Sequence, residues 1–463
     1  MPRQRHDATP DPRSRATPSR RHLIRVHTLV LATVSVMIGS AGGATPSATA
    51  APPHPSCADR HYVGSWAASP TDASVPIDAA ATGKLPIVVR DQTFRMTITP
   101  HLSGATTRVR LSNRFGQTPV TFGRVTVAAL EPTGGLHPPT PAPFEGRAET
   151  TVAPGHEVLS DPIAFPVTSM RPLVVTVYVA GTATGPTKHW NANATTRYTA
   201  PGSGDHTHDR GRAAFTSTTG SWPFLTGLEV LSSRTTRSLV AFGDSITDGF
   251  VGANPLSIPA DRRVADTDQR YPDFLQRRIN DAAIPVSVVN AGISSNRILT
   301  SGEPLMLGPS GIARFTRDAL DQPGVAAVLV QEGINDLGLP PQSDAARIIA
   351  GYRQLITMAH DRGLEIWLGT LLPASDALVN GVLAPAAERQ RQQINAWIRS
   401  QRVADRVVDF DRSLRDPEAP SRLRPSYSSP DRLHPNTTGY QAMANTVALS
   451  ELKRLTATAG CTN

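Results

Sequence analysis

The stretch "RSLVAFGDSITDGF", residues 237–250, begins as an apolar run and stops abruptly at Gly243, Asp244 and Ser245. The run is typical of a buried strand, and Gly-Asp-Ser is typical of a turn or of the cap of a following helix. Ser245 therefore has two interpretations, a capping residue alone or a nucleophile held at the end of a strand. A nucleophile needs partners elsewhere in the chain, so the rest of the sequence distinguishes the two.

The sequence around this stretch predicts the fold of residues 234–463. Strand-like runs such as "SLVAF" (238–242), "VSVVNAG" (286–292) and "AAVLVQEG" (326–333) alternate with helical stretches. This alternation is typical of βαβ units, and therefore of a parallel sheet with helices on both faces. We expect an α/β class domain with three α/β/α layers. Ligands bind at the carboxyl ends of the strands in such sheets, and Ser245 directly follows the first strand.

Residues 61–233 have a different pattern, in which short alternating runs are broken by Gly, Pro, Ser and Thr. Examples are "TFRMTIT" (93–99), "TRVRLSN" (107–113) and "RPLVVTVYVAG" (171–181). Strands at this density, with turn residues between them, are typical of a β-sandwich or a jelly roll. We therefore expect an all-β accessory domain in front of the α/β domain.

The first fifty residues resemble an export signal. An arginine-rich start leads to the apolar run "LVLATVSVMI" (29–38), and Ala-Thr-Ala at 48–50 matches a cleavage site. A run of ten residues is too short to span a bilayer. The segment "SRRHLIR" (19–25) also resembles a twin-arginine signal, and an ordinary basic segment is the alternative. We expect a secreted protein with a signal peptide at 1–50, a linker at 51–60 and no membrane insertion after the signal is removed.

The charge distribution argues against a nucleic-acid partner. The net charge is +8, but the first fifty residues contain seven arginines against two aspartates, which leaves only +3 for the rest of the chain. No basic stripe interleaved with aromatic residues follows, which is the pattern that nucleic-acid binding requires.

The two cysteines, Cys57 and Cys461, lie near the two ends of the mature chain. An isolated pair in an exported protein favours a disulfide, and two unpaired thiols are the alternative. The stretch "GDHTHD" (204–209) contains His206 and His208, but a polar loop is the simpler interpretation than a metal site. We predict neither a metal ion nor another cofactor.

A serine nucleophile requires a base, a carboxylate that orients the base, and donors for the oxyanion. The segment "SPDRLHPN" (429–436) supplies His434, with Asp431 three residues before it. This spacing lets the carboxylate reach the far nitrogen of the imidazole. Gly292 ends one strand, where its N–H can face a substrate. Asn335 follows another strand, and its side-chain amide can donate to an oxyanion.

Four segments, in their order along the chain, resemble the sequence blocks of the SGNH/GDSL hydrolase family. They are "FGDSITDG" around Ser245, "NAG" with Gly292, "GIND" at 333–336 and "DRLHPN" at 431–436. The resemblance covers about residues 238–452 and implies a flavodoxin-like fold and a two-step acyl transfer to water without a metal. The serine is followed by Ile246 where the family usually has leucine, which is a conservative departure.

The resemblance also implies the role of each site residue. Ser245 is the expected nucleophile, His434 the base and then the acid, and Asp431 the carboxylate that orients the imidazole. The expected oxyanion hole consists of the backbone N–H groups of Ser245 and Gly292 and the side-chain amide of Asn335. We interpret two further carboxylates as structural residues that hold loops near the site, namely Asp248 and Asp336.

The β-rich half is similar to the domain that accompanies some secreted bacterial family members, notably in "GSWAASP" (64–70) and "RLSNRFGQTPVTFG" (110–123). The sequence therefore predicts a secreted serine esterase that acts on an ester substrate, an acylated glycan or a lipid. Deacetylation of polysaccharides is the preferred function. A lipase or phospholipase, and a glycan-binding protein with an inert hydrolase domain, are the alternatives. Acyl length, the alcohol and the oligomeric state stay open.

Overall fold

The structure is a computed structural model that describes residues 60–72, 88–257, 260–302, 308–378 and 387–457. The predicted signal peptide, nearly all of the predicted linker and both cysteines of the predicted disulfide, Cys57 and Cys461, lie outside the described residues. The β-rich and α/β parts belong to one compact unit, Pro55–Asn463. No described helix is both long enough and apolar enough to cross a lipid bilayer.

The β-rich part consists of strands joined by turns. They are β1 (Arg60–Ala67), β2 (Val88–Ile98), β3 (Thr107–Ser112), β4 (Val120–Ala129), β5 (Thr140–Pro141), β6 (Thr150–Val152), β7 (Glu157–Leu159), β8 (Leu173–Thr184), β9 (Lys188–His189), β10 (Thr196–Tyr198), β11 (Ser217–Thr219), β12 (Trp222–Pro223) and β13 (Leu225–Ser233).

These strands form two antiparallel sheets that share one core. One sheet has the order β1-β13-β3-β7, and the other has the order β11-β10-β2-β8-β4-β5, with β6 also paired to β4. A short ribbon joins β9 to β12. Apolar residues of both sheets form a single buried cluster, in which the rings of Trp66 and Trp222 meet edge to face at 4.8 Å. This arrangement confirms the predicted β-sandwich architecture.

The second half contains a five-stranded parallel sheet. Its strands are β14 (Arg237–Gly243), β15 (Val286–Gly292), β16 (Val325–Gln331), β17 (Glu365–Gly369) and β18 (Arg406–Val408). The order is β15-β14-β16-β17-β18, which is the flavodoxin-like order. The first strand, β14, therefore lies between its two successors, and the topological switch point falls at its carboxyl end. This confirms the predicted fold class.

Helices connect these strands and cover both faces of the sheet. They are α1 (Ser245–Asp248), α2 (Tyr271–Asp281), α3 (Gly311–Phe315, continued by a π-helical turn at Thr316–Leu320), α4 (Ile334–Gly338), α5 (Ala345–His360), α6 (Ala387–Ser400), α7 (Phe410–Leu414), α8 (Thr437–Thr446) and α9 (Leu449–Ala457), with 3-10 turns at Arg262–Val264 and Pro425–Tyr427.

The strand β14 is buried on both faces, which explains its continuous apolar run. Leu239 and Ala241 belong to a buried cluster with apolar residues of α2, α8 and α9. Val240 and Phe242 belong to the opposite cluster, with residues of α3, α5 and α6. Because successive side chains of a strand point to opposite faces, one apolar run anchors both helical layers.

The β-rich part packs directly against the parallel sheet. The backbone N–H of Gly64 in β1 donates to the carbonyl of Pro323 at 2.9 Å. A Cβ on Gly64 would lie 3.1 Å from a methyl group of Val289, so β1 and β15 approach closely. Ala67 belongs to the same buried cluster as Val240. The β-rich part therefore contributes to the packing of the α/β part.

Candidate active site

Ser245 is the first residue of α1, directly beyond the carboxyl end of β14. Asp244 caps this short helix, because its Oδ1 accepts a hydrogen bond from the N–H of Ile246 at 3.0 Å. A Cβ on Gly243 would lie 2.1 Å from the carbonyl oxygen of Gln331, so only glycine fits at the strand end. Burial raises the pKa of Asp244 to about 7. The cap and the end of β14 together place Ser245 at the switch point.

Ser245 lies within hydrogen-bond distance of His434. The distance from Ser245 Oγ to His434 Nε2 is 2.7 Å, and His434 Nδ1 is 2.7 Å from Asp431 Oδ2. All three side chains are buried. The structure therefore brings together, in one hydrogen-bonded chain, the three residues that the sequence assigns to the catalytic centre.

Asp431 is held on both of its oxygens. Its Oδ1 accepts hydrogen bonds from Ser429 Oγ at 2.6 Å and from the backbone N–H groups of Leu433 and His434 at 3.0 Å each. Burial alone would raise the pKa of Asp431, but the adjacent His434 imidazole and these hydrogen bonds hold it well below its ordinary value. The ionised carboxylate accepts from Nδ1–H, so Nε2 is free to accept the proton of Ser245.

Two of the predicted oxyanion donors are available near the switch point. The N–H of Ser245 lies in the first turn of α1, where N–H groups have no partner within the helix. Asn335 lies in α4, directly after β16, and its Nδ2 donates one hydrogen bond to the carbonyl of Asn296 at 3.0 Å. This bond fixes the orientation of the amide and leaves its second N–H for a ligand.

The structure corrects the prediction for Gly292. Its N–H donates to the side-chain oxygen of Asn290 at 2.8 Å and is therefore already occupied. A Cβ at Gly292 would lie 2.3 Å from the backbone nitrogen of Asp248. The close packing of α1 against the end of β15 accounts for a glycine at this position.

The backbone N–H of Ser295, in the turn that follows β15, fits the oxyanion-donor role better. Ser295 adopts a left-handed conformation with φ of 65°, which is uncommon for a residue with a side chain. No atom of the described chain accepts a hydrogen bond from its N–H. Its neighbour Ser294 is fixed, since its N–H and Oγ both donate to Asp248 Oδ2 at 3.1 and 2.5 Å. Serine carries no sequence signal for a positive φ, so the sequence gives no indication of this residue.

The two additional carboxylates hold loops near the site, as expected. Asp336 accepts from the backbone N–H groups of Ile298 and Leu299 at 2.8 and 3.0 Å, and burial raises its pKa to about 6. Asp248 accepts from Asn191 of the β-rich part at 3.2 Å in addition to Ser294. Both carboxylates therefore bind loops and have no contact with His434 among their hydrogen bonds.

A buried arginine beneath the site was not indicated by the sequence. Arg314 in α3 donates to the backbone carbonyls of Gly243 and Ala291 at 2.8 and 2.7 Å and to Asn296 Oδ1 at 2.8 Å. Its guanidinium lies 3.7 Å from the carboxylate of Glu332, whose pKa burial raises to about 8. Arg314 thus joins the ends of β14 and β15 to the loop that holds Asn335.

The β-rich part reaches the site through residues 189–193. The ring of Trp190 lies 6.3 Å from that of Phe250, which in turn lies 4.8 Å from the imidazole of His434. Asn193 Nδ2 donates to the carbonyl of Gly249 at 2.7 Å. The β-rich part therefore contacts both the end of α1 and the surroundings of the histidine.

The histidine-containing loop at 204–209 makes ordinary polar contacts. His206 Nδ1 is 2.8 Å from Asp209 Oδ2, and His208 Nε2 is 2.7 Å from Arg124 Nη1. Within the described ranges, no group of three or more histidine, cysteine or acidic side chains is placed to hold a metal ion.

The second half is a three-layer α/β/α domain with a serine–histidine–aspartate arrangement at its switch point. Residues 241–442 match the model of the GDSL-like Lipase/Acylhydrolase family. This part of the chain is therefore a hydrolase domain of that family. Among the curated proteins, none matches the sequence.

Solved structures resemble the chain at low identity. A family two carbohydrate esterase from Clostridium thermocellum, solved with cellohexaose, is 13% identical with a TM-score of 0.35, covering 84% of this chain and 93% of its own. The M. smegmatis aryl esterase is 15% identical with a TM-score of 0.36, covering 47% and 99%. A lipolytic protein of the G-D-S-L family from Desulfitobacterium hafniense is 18% identical with a TM-score of 0.34, covering 47% and 99%.

Proposed function

We propose that this protein is a serine esterase that hydrolyses carboxylic esters through a covalent acyl-enzyme. The observation that carries the proposal is the continuous hydrogen-bonded chain from Ser245 Oγ through His434 to Asp431. Asp431 keeps the proton on Nδ1, so Nε2 is unprotonated and faces the hydroxyl. This is the arrangement that a serine needs in order to act as a nucleophile.

The reaction proceeds in two steps. Nε2 of His434 takes the proton of Ser245 as Oγ attacks the carbonyl carbon of the ester, and the imidazolium then protonates the leaving alcohol. A water molecule next attacks the acyl-enzyme while His434 accepts its proton, and the proton returns to Oγ as the acid is released. Asp431 stays ionised and stabilises the imidazolium in each step.

We assign the oxyanion hole to three donors at the ends of neighbouring strands. They are the backbone N–H of Ser245 after β14, the backbone N–H of Ser295 after β15 and Nδ2 of Asn335 after β16. Donors fixed before the reaction stabilise the charge that develops on the carbonyl oxygen, and each contributes about 10²- to 10³-fold to kcat. The free N–H and the left-handed backbone of Ser295 support its place in this set.

We propose that the substrate is a short-chain ester of a polar alcohol, with acetylated polysaccharides as the preferred class. The described residues expose only four large hydrophobic side chains, Val88, Leu256, Val403 and Val407. Enzymes that act at lipid surfaces require a larger exposed apolar patch. This observation disfavours the lipase alternative.

We also propose that the protein is exported, with residues 1–50 as the signal. The support is the sequence of that segment alone, with its basic start, its short apolar run and its small residues. Intact-mass measurement of the protein recovered from culture medium tests this proposal, and we expect the mature chain to begin close to residue 51. Recovery of the full-length chain from the cytoplasm only would contradict it.

Hydrolysis of a substrate panel by wild type and Ser245→Ala tests the proposed function. We expect wild type to hydrolyse p-nitrophenyl acetate faster than the palmitate ester and to release acetate from acetylated glycans. Ser245→Ala should lose this activity. Preference for palmitate or phospholipid would support the lipase alternative. Glycan binding without hydrolysis of any ester would support the inert alternative, and equal rates for both proteins would overturn a serine mechanism.

A further inference from the structure

We propose that His189, in the β-rich part, is a positioning residue that fixes the turn carrying Ser245 through an ion pair with Asp248. The proposal rests on the proposed function, in which Ser245 is the nucleophile. It makes the β-rich part a support for the nucleophile turn of the α/β domain.

The ring of His189 has an acceptor at each nitrogen. Nδ1 lies 2.8 Å from the carbonyl oxygen of Ser69, and Nε2 lies 2.9 Å from Asp248 Oδ1 and 3.2 Å from the carbonyl oxygen of Asn191. A carbonyl can only accept, so Nδ1 carries a hydrogen. Nε2 likewise faces acceptors, the Asp248 carboxylate and the carbonyl of Asn191, so it carries one as well. The ring is therefore a cation, buried against a buried carboxylate.

The environment agrees with this charge state. His189 is 3% exposed and Asp248 1% exposed, so water contributes little to the solvation of either group. Burial alone would lower the pKa of His189, but the charge of Asp248 and the hydrogen bonds raise it above its ordinary value. Removing one member of such a pair leaves the other charge buried without its counter-charge, which is strongly destabilising locally.

Asp248 connects this pair to the catalytic serine. It is the last residue of α1, which begins at Ser245, and its N–H donates to the carbonyl of Asp244 at 2.9 Å. Its Oδ2 also accepts from Ser294, the neighbour of Ser295. A single carboxylate therefore holds both the nucleophile turn and the loop to which we assign an oxyanion donor.

The neighbours of His189 act on the same turn. Asn191 Nδ2 lies 3.2 Å from Asp248 Oδ2, and Asn193 Nδ2 donates to the carbonyl of Gly249. Three side chains of one β-rich segment thus converge on the end of α1. Because a displacement of about 1 Å can lower a rate by about 10²-fold, loss of this contact should lower kcat. It should leave KM nearly unchanged, since His189 does not line the position of the ester.

His101 offers a matched control for a merely structural role. It is 3% exposed, like His189, and it also joins the two parts of the chain. Its Nδ1 lies 2.6 Å from the carbonyl oxygen of Val288, and its Nε2 lies 3.1 Å from Asp273 Oδ1. These partners lie in β15 and α2, whereas His189 contacts α1. Loss of either histidine weakens the same interface, but only His189 is placed to move the serine.

The experiment compares His189→Gln and His101→Gln in the full chain, using p-nitrophenyl acetate and a fluorophosphonate that reacts with the nucleophile. We expect both variants to lower the thermal unfolding midpoint. His189→Gln should lower kcat and the rate of phosphonylation about 10- to 100-fold, with KM within about threefold of wild type. His101→Gln should change kcat by less than about threefold. Wild-type kcat in His189→Gln, or equal losses of kcat in both variants, would overturn the proposal.

A double variant tests the route through Asp248. If His189 acts through this carboxylate, His189→Gln combined with Asp248→Asn should lose no more kcat than Asp248→Asn alone. Multiplied losses would contradict the proposal. Should His189→Gln fail to fold, Asn193→Ala carries the same prediction with a smaller loss of about 3- to 10-fold, and an unchanged kcat there would overturn it. Full activity of Ser245→Ala would instead overturn the proposed function itself.

Discussion

His434 Nδ1 and Asp431 Oδ2 lie 2.7 Å apart, while the second oxygen of Asp431 accepts three hydrogen bonds. The donors to that oxygen are two backbone N–H groups and the hydroxyl of Ser429. The orientation of the carboxyl group is therefore fixed by the backbone around the catalytic histidine. An amide in this position has to place its carbonyl oxygen against the same donors, which leaves its NH₂ group facing Nδ1.

Asp431→Asn should therefore force the wrong tautomer on His434. With the amide donating to Nδ1, the remaining proton moves to Nε2, which then cannot accept from Ser245. We expect kcat to fall about 10³- to 10⁴-fold with little change in KM. Steady-state kinetics on p-nitrophenyl acetate measures this. Ser429→Ala, which removes one donor but keeps the carboxylate, is the control and should lose less than about tenfold. A loss below tenfold in Asp431→Asn would contradict the assigned role.

Asn335→Ala tests the side-chain donor of the oxyanion hole. The amide is held by Asn296 and leaves one N–H free, so its removal should lower kcat about 10²- to 10³-fold and leave KM nearly unchanged. Asn395 is a matched control, because its buried amide bonds both backbone groups of Leu371 at 2.8 Å, away from the triad. Asn395→Ala should lower stability and spare kcat. An effect of Asn335→Ala on KM alone would argue against a transition-state role.

Glu332→Gln should stabilise the protein at alkaline pH. Burial raises the pKa of Glu332 from 4.5 to about 8, so the folded state favours the neutral carboxyl group. The stability that this group contributes is fully present below its unfolded pKa and is lost as the pH rises through the folded pKa. Glutamine resembles the neutral form and does not ionise.

Thermal unfolding across pH measures this difference. At about pH 5 the two proteins should unfold at similar temperatures, whereas at about pH 9 the variant should unfold about 2 to 5 °C higher. A variant that is destabilised equally at both pH values would show that Glu332 is ionised throughout and stabilises Arg314 as an ion pair.

Arg314→Lys should be strongly destabilising although it preserves the charge. The guanidinium donates in three directions, to Gly243, Ala291 and Asn296, and a single ammonium group cannot reproduce this fork. We expect a loss of about 3 to 5 kcal/mol in the free energy of unfolding, measured with denaturant. Arg317→Lys, three residues later and partly exposed, should lose less than about 1 kcal/mol. Equal losses in the two variants would contradict the role of Arg314.

The fold was predictable because its signals are local. The apolar run of β14 and the alternation of strands and helices need no knowledge of distant contacts. The serine, the histidine and the aspartate also lie in short segments whose neighbours set their geometry, such as the turn that holds Asp431 beside His434. The backbone donor after β15 was not predictable in this way, because the side chain of Asn290 engages Gly292 and the fold leaves Ser295 free.

Long-range pairs account for the other residues that the sequence did not indicate. His189 and Asp248 are 59 positions apart and belong to different parts of the chain, so no motif joins them. Arginine is mostly found at the surface, yet Arg314 is fully buried beneath two strand ends. The export signal, the domain boundaries and the disulfide between Cys57 and Cys461 stay predictions.

Labelling of the nucleophile tests the central claim most directly. The full-length protein is treated with a fluorophosphonate, and the adduct is located by peptide mass spectrometry. We predict one adduct per chain, on Ser245, with the same reagent leaving Ser245→Ala unmodified and reacting about 10³-fold more slowly with His434→Ala. An adduct on another residue, or wild-type labelling of Ser245→Ala, would contradict the assignment of Ser245 as the nucleophile.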